Sequence, residues 1–336
     1  MKILYLADKE EFNQKNFDQF SGRLTRGQSI VIYDPDKPDE PQFEGVGFVM
    51  DPGGACGTVE RIDAAKAANV ALWQVTTTGL DDVNLAYFLE KGMTLAHSPG
   101  TLSAVPLAEH ALMWILSFAK NVVSNNLSRI AKEHSDVPYF GINTPRVICQ
   151  EMEGLTLGLI GFGASARELA RRAWPLGMRI MATDAIEFPQ EELDEFHVEF
   201  LGKPSQMDTV LSNSDYVSLH LHLNSKTRHI IGAHEFEMMK QSAVLINIAR
   251  GALVDEVALV QALRTGNIRG AGLDVFEEEP PPTDHPLLEM ENVLTTAHSA
   301  AYTPQTAERR LIHAAENADR VARGLSALGV VESLYL

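Results

Sequence analysis

Short apolar runs alternate with helical stretches from the first residues onward. Residues 3–7, 30–33, 47–50, 71–76 and 93–96 are apolar runs of strand length, with helix-like segments between several of them. That alternation is the βαβ pattern of a parallel sheet. A second series begins near Thr156 and comprises 157–160, 179–183, 216–220, 243–247, 271–273 and 293–295. Between the two series, Ala108, Ala111, Leu112, Ile115, Leu116 and Ala119 recur at helical spacing after the Pro99-Gly100 turn. They predict a long helix that carries the chain from one α/β unit to the next. After the last run, Thr303 is an N-cap and Pro304 takes the first helical position, with Leu311, Ile312, Ala315 and Val321 on one face. Spacing leaves open whether this helix ends the second unit or returns to the first.

A length of 336 residues is about twice the usual ~150-residue domain, which agrees with two units. Acidic residues number 45 against 28 basic ones, a formal charge of −17, so the surface is not one that gathers phosphates, and nucleic acid is excluded as a main partner. Hydrophobic content of 45% and charged content of 22% exclude disordered, collagen-like and coiled-coil classes. Cys56 and Cys149 are too few and too far apart for a disulfide scaffold or a cysteine metal site, and no metal is expected. Residues 1–7, followed by Asp8, Lys9, Glu10 and Glu11, lack an apolar core of signal-peptide length. The most apolar stretch, 104–123, contains Glu109, His110 and Lys120 and reads as a buried helix, so no membrane is expected and the cytoplasm is the default location.

The strongest local signal is the run from Leu157 to Ala166, a strand, then Gly161-Phe162-Gly163, then the helical Arg167-Glu168-Leu169-Ala170. Gly161 permits a tight turn, Gly163 lets backbone approach a pyrophosphate, and Ala166 allows close packing of helix on strand. The helix N-terminus, at Ala164 and Ser165, offers unpaired N–H groups to phosphates. The next strand ends in Asp184, 21 residues beyond Gly163, where a carboxylate accepts hydrogen bonds from ribose hydroxyls and repels a 2′-phosphate. NAD is therefore favoured over NADP.

Three further motifs follow in order: Asn247-Ile248-Ala249-Arg250-Gly251, then Gly272-Leu273-Asp274-Val275-Phe276-Glu277-Glu278-Glu279-Pro280, then Thr296-Ala297-His298-Ser299-Ala300-Ala301. With the glycine turn they resemble the D-isomer-specific 2-hydroxyacid dehydrogenases, the family of phosphoglycerate dehydrogenase, glyoxylate/hydroxypyruvate reductase, D-lactate dehydrogenase and formate dehydrogenase. The resemblance runs from about Gln74 to Thr303; the first 70 residues share only the pattern. It implies two Rossmann-like parallel-sheet α/β domains with an interdomain cleft. Residues 1–102 and 302–336 are taken as a flavodoxin-like substrate domain, and 103–301 as the NAD-binding domain.

The resemblance implies that Arg250, Glu279 and His298 are catalytic. Arg250 would hold a 2-keto acid carboxylate bidentately or polarise the carbonyl. His298 would give a proton to the carbonyl oxygen during reduction and take one during oxidation. Glu279, five positions after Asp274, would fix the His298 tautomer, leaving Glu277 and Glu278 solvated. Asp274 is expected beside the nicotinamide, its alternative being a strand-end turn cap. The loop from Gln74 to Asn84 looks like the substrate loop, with Thr77, Thr78 and Gly79 meeting the substrate carboxylate and Thr78 also the cofactor. Cofactor contacts are further expected from Leu221, His222, Ile248, Ala249, Arg250, His298 and Ala301, and Glu109 and His110 are expected to be structural.

Departures narrow the reading. Ala164-Ser165 stands where the family often has Arg-Ile, so one phosphate contact is expected to be missing. His222 replaces the usual proline, for packing or a ribose contact. The loop at residues 50–56 lacks the arginine that phosphoglycerate enzymes use, which argues against a phosphorylated substrate. The expected activity is hydride transfer between NAD(H) and a small 2-keto or D-2-hydroxy acid, in a homodimer; the alternative is an NAD(H)-sensing, corepressor-like binding protein on the same scaffold.

Overall fold

The computed structural model describes residues 1–6, 13–25, 27–122 and 148–331; of the positions named above, 7–11, 123 and 332–336 lie outside the described residues. The chain divides into two units, Met1–Ser103 with Tyr302–Leu336, and Ala104–Ala301.

In the first unit, β1 (Lys2–Tyr5), β2 (Ser29–Ile32), β3 (Val46–Asp51), β4 (Leu72–Val75) and β5 (Leu95–Ala96) form a sheet in the order β2-β1-β3-β4-β5. All its pairings are parallel, and the order is that of flavodoxin-like sheets. Side chains alternate between faces with a period of two. Leu4, Leu6, Val49, Trp73 and Val75 enter one core, while Ile3, Tyr5, Phe48, Met50 and Leu72 enter the other.

The second core is covered by the helix Pro304–Ala322, whose N-cap Thr303 accepts from the Thr306 N–H. Here the sequence reading needs correction. Ile312 is exposed, and the packed positions are Leu311, Ala314, Ala315 and Ala318, because a helix lying close on a sheet needs small residues along its contact stripe. Asn317 on this helix is fully buried, donating to Gln74 Oε1 at 2.6 Å and to Leu328 O at 2.9 Å. The chain then pairs antiparallel with β5, Ala96 opposite Val330, and so occupies that sheet edge.

In the second unit, β6 (Thr156–Ile160), β7 (Arg179–Thr183), β8 (Val198–Gly202), β9 (Tyr216–Leu219), β10 (Val244–Asn247), β11 (Gly270–Leu273) and β12 (Val293–Thr295) form a sheet in the order β12-β11-β10-β9-β6-β7-β8. Every pairing is parallel. Counted from its own first strand this is the doubly wound nucleotide-binding order with one strand added, and its reversal lies between β6 and β9. One face is covered by the helix Ala104–Ala119, through Ala108, Ala111, Trp114, Ile115 and Phe118, and by the helix Ala164–Ala173. Met207, Val210, Leu211, Leu259 and Ala262 cover the other. β8 was absent from the hydrophobic pattern. It is an edge strand with Glu199 exposed and only its ends buried, so it carries no continuous apolar run.

Candidate functional site

β6 runs into the helix Ala164–Ala173 through Gly161, Phe162 and Gly163, at the point where strand order reverses. Gly161 has φ +91°, and a Cβ there would stand 2.6 Å from the His220 carbonyl oxygen, so the turn accepts only glycine. A Cβ at Gly163, by contrast, would meet nothing within 4 Å, which leaves open space over the helix N-terminus. Ala166 is fully buried against the sheet. Asp184 follows β7 and turns back on the loop: one carboxylate oxygen accepts from the Phe162 N–H at 2.7 Å, the other from Ile186 N–H at 2.8 Å. Arg179, at the far end of β7, is paired with Glu199 at 2.6 Å and does not neutralise Asp184. Open space at a helix N-terminus, no intervening Cβ and a carboxylate beside the turn fit a dinucleotide whose adenosine ribose carries free hydroxyls.

Ser165 has a partner that the sequence did not suggest. Its hydroxyl lies 2.9 Å from His220 Nδ1, and Ser218 Oγ lies 2.9 Å from His220 Nε2. The imidazole therefore links the phosphate-facing helix to β9, and desolvation pushes its pKa down to about 3. Leu221 is half-buried beside Gly161, and His222 is exposed, its carbonyl accepting from Thr227 Oγ1. A ring kept neutral in the folded state but protonated in the unfolded one stabilises above about pH 6.5 and loses that contribution as pH falls toward 3. We predict that unfolding free energy falls between pH 6.5 and 4, with up to about 1.4 kcal/mol per pH unit from this ring. Urea unfolding across that range should show a shallower fall in His220→Asn; equal slopes would remove His220 from the acid response.

The other candidate residues follow the C-terminal ends of β10, β11 and β12. Asn247 is buried, donates to Arg250 O at 2.8 Å and accepts from Ala249 N–H at 3.1 Å, which sets the backbone around Arg250. Ile248 is buried, and Ala249 and Arg250 are half-buried. A Cβ on Gly251 would lie 1.9 Å from the Phe276 carbonyl, so the residue after Arg250 abuts the backbone leading to Glu279. Glu279 accepts from the Phe276 N–H at 2.9 Å and meets His298 Nδ1 at 2.6 Å. The two side chains remain 35% and 50% exposed, within reach of a ligand.

His298 has φ +47°, a left-handed conformation that costs a non-glycine residue roughly 1–3 kcal/mol. Asp274 holds it there. The Asp274 carbonyl accepts from the His298 N–H at 2.7 Å, and its buried carboxylate accepts from Thr296 Oγ1, Ser299 N–H and Ala300 N–H at 2.6–2.8 Å. The structure thus places this carboxylate inside the loop, as a strand-end cap. Because Thr296 gives its proton to Asp274, its oxygen accepts from His110 Nε2 at 2.8 Å. Burial lowers the His110 pKa, against an opposing pull from Asp274. Glu277 is not merely solvated: it pairs with Arg228 at 3.0 Å and His229 at 2.9 Å. Ala301 is half-buried and ends the second unit.

In the first unit, Thr77, Thr78 and Gly79 follow β4 and are half-buried. His97 Nδ1 lies 3.1 Å from Thr78 O, and Ser98 N–H donates to Thr77 O at 3.0 Å.

Residues 112–300 match the family model described as D-isomer specific 2-hydroxyacid dehydrogenase, NAD binding domain. The chain belongs to this family. The matched stretch contains the glycine turn, Asp184 and the strand-end motifs as far as Ala300. The chain is similar to a glyoxylate reductase of Korarchaeum cryptofilum, 36% identical over 263 residues, which are 78% of this chain and 75% of that protein. It is similar to a D-3-phosphoglycerate dehydrogenase of Methanocaldococcus jannaschii, 36% identical over 273 residues, 81% of this chain but 49% of that protein, so it spans about half of that relative's length. Among solved structures it resembles the NAD-complexed D-isomer specific 2-hydroxyacid dehydrogenase of Lactobacillus delbrueckii ssp. bulgaricus, with a TM-score of 0.79, 25% identity and coverage of 99% and 100% of the two chains.

Proposed function

We propose that this chain is an NAD-dependent oxidoreductase acting on a small 2-keto acid or D-2-hydroxy acid. The observation that carries the reading is the 2.6 Å pair of His298 Nδ1 and Glu279 in a loop locked by Asp274. An ionised Glu279 keeps the proton on Nδ1, so Nε2 is the nitrogen that exchanges a proton with substrate oxygen. When bound, NADH would supply a hydride for C2 of the keto acid, and the oxidised cofactor would accept one from the alcohol. As the hydride arrives, charge grows on the carbonyl oxygen, and imidazolium Nε2–H neutralises it by proton transfer. Arg250 binds the substrate carboxylate through its planar fork, which a lysine reproduces poorly. Thr77, Thr78 and Gly79 are the substrate-binding residues of the first unit, which we read as the substrate domain.

For the cofactor, Gly161, Gly163, Ala164, Ser165 and Ala166 would receive the pyrophosphate and Asp184 the ribose. Ile248 and Ala249, after β10, and Ala301, after β12, belong to the same proposal as cofactor contacts. The Asp274 carboxylate, 1% exposed, acts on His298 through its loop. No helix among the described residues is long and apolar enough to cross a membrane, which is compatible with the cytoplasmic setting we propose. A homodimer belongs to the same proposal, on the resemblance of the motifs, and light scattering checks it.

Purified protein with NADH or NADPH and a panel of glyoxylate, hydroxypyruvate, pyruvate and bulkier 2-keto acids should consume reduced cofactor only when substrate is present, faster with NADH. Cofactor binding without turnover on any of them would favour a sensing role instead.

A further inference from the structure

The hydroxyl of Ser165, on the first turn of the helix Ala164–Ala173, ends a hydrogen-bonded relay whose direction is fixed at its other end. Ser218 Oγ lies 2.9 Å from His220 Nε2, and His220 Nδ1 lies 2.9 Å from Ser165 Oγ. Burial keeps the ring neutral near pH 7, so it carries one N–H and one acceptor nitrogen. Which nitrogen holds the proton follows from Ser218. That residue is fully buried, and among the described residues its hydroxyl meets only His220. With the proton on Nε2, the Ser218 O–H would have no acceptor, and a buried donor left unpaired is costly. Ser218 therefore donates to Nε2, and Nδ1–H donates to Ser165 Oγ. Ser165 is only half-buried, and the proton of its own hydroxyl is left for another acceptor.

The surroundings show what that acceptor is. Among the described residues the N–H groups of Gly163, Ala164 and Ser165 meet no acceptor, the first bond of the helix being Arg167 N–H to Gly163 O at 3.0 Å. Open space lies over them, since a Cβ on Gly163 would meet nothing within 4 Å. Such a turn suits an anion. No cation of the turn is left for it: Ala164 ends at a methyl group, and Arg167 is engaged with Phe162 O at 3.1 Å and Glu192 at 2.9 Å.

We propose that the Ser165 hydroxyl, oriented by the Ser218–His220 pair, donates to a pyrophosphate oxygen of bound NAD(H) and supplies the side-chain contact that Ala164 cannot. His220 and Ser218 are then positioning residues. They touch no phosphate; they hold the Ser165 oxygen in place and keep its proton for the ligand. The proposal rests on the reading of the glycine turn as a dinucleotide site, and it adds to that site an uncharged donor with a fixed direction.

Equilibrium binding tests it without turnover. NADH is titrated by fluorescence, and ADP-ribose and adenosine, which carry and lack the pyrophosphate, by calorimetry. Ser165→Ala should weaken NADH and ADP-ribose about tenfold to a hundredfold, the worth of one hydrogen bond to a charged group, and leave adenosine within about twofold. Alanine is a good helix former, so the melting temperature without ligand should not fall. An equal loss for adenosine would overturn the proposal by making Ser165 structural, and so would undiminished binding of NADH and ADP-ribose. His220→Asn breaks the relay. It should weaken the same two ligands severalfold when Ser165 is present but by less than about twofold in Ser165→Ala, because its effect passes through that hydroxyl. Equal losses in the two backgrounds would overturn the positioning role. Wild-type protein that binds neither NADH nor ADP-ribose would sink the dinucleotide reading and this assignment with it, whereas wild-type binding that Ser165→Ala leaves intact would sink the hydroxyl alone.

Discussion

Replacing His298 with alanine is expected to lower kcat for 2-keto acid reduction by about 10²- to 10⁴-fold, the usual contribution of a positioned acid or base, with a far smaller change in NADH affinity. The geometry makes this a clean test. The loop is held by Asp274 through the His298, Ser299 and Ala300 N–H groups and the Thr296 hydroxyl, none of which belongs to the imidazole. Losing the ring therefore leaves the loop in place and removes only the proton carrier and the partner of Glu279. Steady-state kinetics with NADH titrated by fluorescence separates the two effects. Turnover at the wild-type rate would exclude His298 from the chemistry.

Gly251→Ala should produce the largest loss of stability, about 3 kcal/mol or more, and with it the loss of activity. Backbone dihedrals are not the reason, since Gly251 is absent from the positive-φ residues. Space is. The new Cβ would fall 1.9 Å from the Phe276 carbonyl carbon and oxygen and 2.3 Å from the Glu277 nitrogen, and backbone atoms cannot swing aside as a side-chain tip can. Relief requires the turn after Arg250 and the segment leading to Glu279 to separate, which displaces two candidate residues at once. A melting temperature within about 2 °C of wild type would contradict this, since 1 kcal/mol shifts a unit of this size by roughly 2–4 °C.

The parallel-sheet architecture was legible because buried parallel strands carry unbroken apolar runs, and runs such as 179–183 and 293–295 coincide with β7 and β12. β8 was not, because an edge strand with an exposed Glu199 has no such run. The contact of Glu279 with His298 was reached through the resemblance, since three consecutive glutamates offer no local means of choosing among them. What stayed hidden was support. The ring of donors around Asp274 and the His220 link between two serines join residues far apart in the chain, and periodicity reports only on neighbours. Ile312 was misplaced for a related reason: apolar character alone does not tell which flank of a helix stripe meets the sheet.

Because the helix Pro304–Ala322 and the strand-like pairing at Val330 belong to the unit that also contains Met1–Ser103, a growing chain cannot finish what it starts first. On the ribosome the nucleotide-binding sheet has all its strands before the opening sheet receives the helix that covers Ile3, Tyr5 and Phe48. Until then, those early residues are covered only in part, by Phe17 and Phe20, a period in which chaperones have a natural target.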